Sequence, residues 1–120
     1  KRYGDKEWLG FNGDDVEITI EFDVPTEINK ISTRFHNGNG QWIYAPKEIG
    51  FSFKLEDGKT VNYLNKIKND GSLLINYKIN FEDLKSTSVI ITISNYGKIP
   101  KGKQGAGHKA WTFIDEIIVE

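Results

Sequence analysis

Three adjacent pairs of carboxylates are the first candidates for acid–base chemistry: Asp14/Asp15, Glu56/Asp57 and Asp115/Glu116. Cleaving a glycosidic bond needs two carboxyl groups facing each other across roughly 5–10 Å. Neighbours in an extended chain point to opposite faces, so an adjacent pair cannot supply that geometry. The two histidines, His36 and His108, sit in no nucleophile-type motif. These residue types argue against catalysis within this chain and turn attention to binding.

A sugar is recognised by flat aromatic faces against its C–H surfaces and by planar polar groups at its hydroxyls. Trp42 and Tyr44 follow Gly38 and Gly40, and they share a face if that segment is extended. Arg34, His36 and Asn37 come just before them and can supply hydrogen bonds. His108 and Trp111 flank a glycine-rich loop near the end of the chain. The competing reading makes Trp42 or Trp111 a core aromatic, as Trp8 reads. A membrane-surface reading would use Trp42-Ile43-Tyr44 as an apolar spike, with Lys98, Lys101, Lys103 and Lys109 meeting headgroups. Glycines interrupt that lysine cluster, which reads better as a solvated loop.

Strands must position these residues. The last stretch, residues 103–120, joins a loop carrying Gly105, Gly107, His108 and Trp111 to a run rich in Ile, Val and Phe. Gly105 and Gly107 permit backbone angles closed to other residues, so this loop can fold tightly against something. The apolar run after it has strand composition, and a shaped loop on a rigid strand is a usual binding arrangement. Residues 15–22 alternate Val16, Ile18, Ile20 and Phe22 with polar neighbours, and Pro25 is expected to end that strand. The alternation returns at Ile31, Thr33 and Phe35, then at Ile49, Phe51, Phe53 and Leu55. Asp57-Gly58 signals a hairpin into Val61, Tyr63 and Ile67. Ile75, Tyr77, Ile79 and Phe81 follow, then Val89, Ile91 and Ile93, and then a long loop over residues 95–109. Tyr63, Tyr77 and the phenylalanines read as core. No window has a helical period, so the chain reads as an all-β antiparallel sandwich.

At 120 residues this is one domain. Its 38% apolar and 28% charged content is ordinary for a globular chain. A net charge of -1 without a basic arm gives no reason to expect nucleic acid as a partner. There is no cysteine, hence neither a disulfide nor a thiolate metal site. The chain opens on Lys1 rather than Met and reads as part of something longer.

Three segments carry a resemblance: Trp8-Leu9-Gly10-Phe11-Asn12-Gly13-Asp14-Asp15, Gly40-Gln41-Trp42-Ile43-Tyr44-Ala45-Pro46, and Gly105-Ala106-Gly107-His108-Lys109-Ala110-Trp111-Thr112-Phe113-Ile114-Asp115-Glu116-Ile117. Together they resemble the discoidin-like domain, also called the coagulation factor V/VIII type-C domain. The closer likeness is to the version at the C-terminus of bacterial family 20 glycoside hydrolases (β-N-acetylhexosaminidases, or chitobiases), related to carbohydrate-binding module family 32. The resemblance implies a jelly-roll, galactose-binding-domain-like sandwich that binds N-acetylglucosamine- or galactose-type sugars with loops at one end. It also implies a catalytic domain in the same chain and a periplasmic, cell-surface or secreted location. Family members usually begin with a strand and an Asp-Gly segment upstream of Trp8, which this sequence lacks. A structural module that packs on the catalytic domain without binding sugar is the other reading.

The last strand poses its own question. Glu116 shares a face with Ile114 and Ile118, and Asp115 shares the other with Phe113 and Ile117. One carboxylate should therefore lie among apolar groups, unless a bulge breaks the alternation. The resemblance implies that Glu116 serves a structural calcium (Ca2+), with backbone carbonyls of Tyr3-Gly4-Asp5 and Asp5 as the second carboxylate. The alternative is a salt bridge from Glu116 or hydrogen bonds to loop amides.

Overall fold

Alternating apolar positions leave each strand one face to bury, and two sheets packed face to face satisfy all of them. The computed structural model describes residues 2–3 and 9–120, with side chains from residue 13 onward. Ten strands are present among the described residues: β1 (Arg2–Tyr3), β2 (Leu9–Asn12), β3 (Val16–Glu27), β4 (Lys30–His36), β5 (Glu48–Leu55), β6 (Thr60–Lys66), β7 (Leu74–Asn80), β8 (Lys85–Ser94), β9 (Trp111–Ile114) and β10 (Ile117–Val119). The only helical element among the described residues is a 3-10 turn, Asn39–Gln41. The fold is all-β, as the alternation predicts.

One sheet runs β3-β8-β5-β6. The other is centred on β4, with β7 on one edge and β9 and β10 end to end on the opposite edge. Outside these, β2 pairs with β9 and β1 with β10. Every strand pairing is antiparallel. Between the sheets lie Val16, Ile20, Ile49, Phe51, Phe53, Val89, Ile91 and Ile93 from one side and Ile31, Phe35, Ile75, Ile114, Ile117 and Val119 from the other. Phe81 sits edge-on to both Phe53 and Tyr63, with centroids 5.0 Å away in each case. Edge-to-face rings match the positive edge of one ring to the negative face of another.

One expectation is corrected, and one alternative is decided. Pro25 does not end β3, which runs on to Glu27. The pairing with β8 slips between Glu21 and Thr26, and Pro25 falls inside that bulge on an edge strand, where its missing N–H breaks no ladder bond. The final strand is also not continuous. Between the pairs Phe35–Ile114 and Ser32–Ile118, β4 has two residues and its partner has three. That extra residue is a β-bulge at Asp115-Glu116. It resets the phase so that Ile114 and Ile117 are both buried, while neither Asp115 nor Glu116 is fully so. The dilemma of a carboxylate in the core is thereby avoided. Trp8, Gly4 and Asp5 lie outside the described residues.

Candidate functional site

On β4, Ile31, Thr33 and Phe35 turn into the core, so Ser32, Arg34 and His36 face outward. On β9, Thr112 and Ile114 are buried, which turns Trp111 and Phe113 to the same outer face. The Trp111 and Phe113 rings lie 6.0 Å apart, and Phe113 is 6.4 Å from His36. A row of three rings therefore runs along the outside of this sheet. Phe113 corrects the expectation that every phenylalanine is core. Its neighbours settle the matter, because Thr112 and Ile114 take the inward phase.

Arg34 follows His36 along this face. Its Nε donates to Asp115 Oδ2 at 2.6 Å, and Nη2 pairs with the same oxygen. The Arg34 side chain is 48% exposed and that of Asp115 only 11%, so the carboxylate is held at the floor and the guanidinium reaches outward. The bulge makes this possible. Asp115 N donates to Arg34 O at 3.0 Å, and Thr33 Oγ1 donates to Asp115 O at 3.3 Å, which fixes the extra residue against β4. A cavity of about 550 Å³ opens here, lined by Ser32, Arg34, Asn76, Lys78, Glu116 and Ile118 among others. Asn76 and Lys78 stand opposite Arg34 and Ser32 on β7.

The loops at the end of the sheet hold a second group. Trp42 has φ 66°, a left-handed conformation that is rare for a bulky residue. Bonds to both sides hold it: Trp42 N donates to Asn39 O at 3.1 Å, and Trp111 N donates to Trp42 O at 2.8 Å. Its indole stacks on His108, with centroids 4.8 Å apart and planes 23° apart. Gly105 lies against the same ring, and a Cβ there would come within 2.5 Å of it. The tight approach expected of this loop is thus made onto Trp42.

Asn37 and Tyr44 sit differently from the surface pair that the sequence suggests. Asn37 is 7% exposed and ties two loops together, residues 37–47 and 67–73. Its Nδ2 donates to Asn69 Oδ1 at 3.0 Å and to Ser72 O at 3.2 Å, and its Oδ1 accepts from Ala45 N. A buried amide must be satisfied in this way, and the bonds leave it few groups for a ligand. The Trp42–Tyr44 segment is not extended, so the two rings do not share an open face. Tyr44 is 4% exposed and packs with Ile99 and Ala110, its ring 4.6 Å from that of Tyr96. Its hydroxyl has no hydrogen-bond partner among the described residues. Burial raises the Tyr44 pKa above the ordinary tyrosine value, and Tyr96 adds to the rise.

The outer face thus brings together Arg34, His36 and Trp111 of the expected residues. Trp42 and His108 pair with each other at its loop end. Sequence reasoning missed Phe113, Asn76 and Lys78, and it did not name Arg34 as the partner of Asp115. For calcium, the described residues gather no cluster of three His, Asp or Glu. Glu116 is one possible ligand, and Asp115 is engaged with Arg34. Calcium takes six to eight oxygens, and Gly4 and Asp5, which the resemblance adds to the ligand set, lie outside the described residues. The chain matches no protein-family model and has no significant match among curated proteins.

Proposed function

We propose that this chain is a non-catalytic carbohydrate-binding module. The reading extends the resemblance to discoidin-like domains of bacterial family 20 glycoside hydrolases, in which a jelly-roll sandwich serves an attached catalytic domain outside the cytoplasm. One observation carries it. Trp111, Phe113 and His36 form an outward row of rings that ends at the Arg34 guanidinium on the same sheet face. Rings of this kind cover the C–H face of a pyranose, and the guanidinium and imidazole reach its hydroxyls. Strands rather than loops hold all four residues, which keeps the geometry fixed before a ligand arrives.

The sugar class that the resemblance implies is N-acetylglucosamine- or galactose-type. Calcium enters the proposal only through Glu116. The test is a glycan array probed with the chain and with Trp111→Ala. The expected result is retention on glycans of that type, lost in the variant while its melting temperature stays close to that of the parent. Binding to no glycan would favour the module that packs on a catalytic domain. Binding that survives Trp111→Ala would place the site elsewhere.

A further inference from the structure

We infer, on the basis of the carbohydrate reading, that the ligand is an internal stretch of an uncharged polysaccharide chain lying along the outer face of the β4 sheet, and not a terminal sugar held by end loops. Length is the first argument. The furnished track runs from Trp111 through Phe113 to Asp115, Glu116 and Ile118. At about 3.3 Å per residue this is roughly 20 Å, more than one sugar ring can occupy. The track is also divided along its length. Rings dominate the end near the loops, and hydrogen-bonding groups dominate the cavity at the bulge, where Ser32, Arg34, Asn76, Lys78 and Glu116 converge. A single sugar would meet one half or the other, whereas a chain meets both.

Charge is the third argument. The track carries both signs, with Arg34 paired to Asp115 and, further along β4, Lys30 to Glu120 at 3.3 Å. Lys78 and Glu116 add one charge of each sign to the cavity. Such a face has no net field to select a polyanion, but it offers many donors and acceptors to hydroxyls. The loop end suits a terminal sugar poorly. Tyr44 is buried, Asn37 is consumed by its three bonds, and Trp42 is stacked on His108.

Titration calorimetry with N-acetylglucosamine, galactose, the β-1,4-linked hexamer of each, and polygalacturonate tests this, with any other glycan returned by the array added as monomer and oligomer. A hexamer is expected to bind at least tenfold tighter than its monomer, with affinity unchanged between low and high salt. Asn76→Ala with Lys78→Ala should lower hexamer affinity toward that of the monomer, in a protein that melts like the parent. Equal affinity for monomer and hexamer would overturn the extended-chain inference and leave the carbohydrate reading standing. Preference for polygalacturonate, weakening with salt, would overturn the uncharged class. Absence of binding to every glycan would overturn the reading itself, and the inference with it.

Discussion

The two sheets of this sandwich both bury an apolar inner face and have quite different outer ones. On the four-stranded sheet, the residues turned outward include Glu17, Thr19, Ser52, Asn62 and Thr92, aligned across β3, β8, β5 and β6. Gly50 lies flat at its centre, and the exposed apolar groups of the sheet, Val24, Leu64 and Ile90, are aliphatic. The alternation on β5, β6 and most of β8 is unbroken there. On the sheet built around β4, the outer face carries Trp111, Phe113, His36 and Arg34, and the strand beside it bulges at Asp115-Glu116. The lesson is that the regular sheet is scaffold, and the candidate site lies where regularity is broken. A bulge aims consecutive side chains to one side, here two carboxylates, one of which fixes the arginine.

The sharpest test of that contrast is on β4 itself, where inner and outer residues alternate. Phe35→Ala should destabilise the domain by about 3–5 kcal/mol, since Phe35 is fully buried between the sheets. Thermal denaturation should record a fall on the order of 10 °C or more. The same truncation at Trp111, which is only half-buried, should cost well under half of that and abolish glycan binding. Leu64→Ala, its counterpart on the other outer face, should change neither the melting temperature by more than a degree or two nor the binding. If Leu64→Ala weakens binding as much as Trp111→Ala does, the two faces are not distinguished as described.

Smaller effects separate the loop cluster from the sandwich. The folded state resists ionising Tyr44, whose pKa burial raises. Below pH 10 the hydroxyl is neutral whether the chain is folded or unfolded, and stability is undiminished. Above pH 10 the unfolded chain ionises more readily, so stability falls as pH rises. Tyr44→Phe should flatten that alkaline decline, leaving the part due to Tyr77, whose pKa burial also raises. It should cost little at neutral pH, because the hydroxyl has no partner among the described residues to lose. An unchanged alkaline slope would show that Tyr44 is not buried in solution. A small effect is also expected at the bulge, where Asp115→Asn should cost about 1 kcal/mol or less. Its partner Arg34 is half-exposed, and such pairs are weak.

Much of the sandwich was legible because a period of two is a direct physical consequence of one buried face. Ile31, Thr33 and Phe35, then Ile49, Phe51 and Phe53, then Val89, Ile91 and Ile93, all point inward as their spacing predicts. The hairpin at Asp57-Gly58 forms, with Gly58 at φ 86°. Phase was not legible where the pattern breaks. Nothing local reveals that β3 absorbs Pro25 in a bulge, since this depends on β8 opposite. Nothing local reveals that Asp115-Glu116 is a bulge, since this depends on the register of β9 and β10 against β4. Trp42 and Tyr44 looked like a surface pair because extended geometry was assumed, and the left-handed Trp42 removes that assumption. Of the candidate site, Arg34, His36 and Trp111 were readable from residue type, while Phe113, Asn76 and Lys78 required knowing which face each strand presents.

The most direct measurement is a chemical-shift titration of the isotope-labelled chain with a glycan that binds it. The account predicts that the resonances that move belong to residues 32–36, 74–78 and 111–118, with the Trp111 indole N–H among the largest shifts. Movement concentrated instead at Gly50, Ser52, Leu64, Ile90 and Thr92 would contradict it, because the furnished face would then be idle and the plain one occupied.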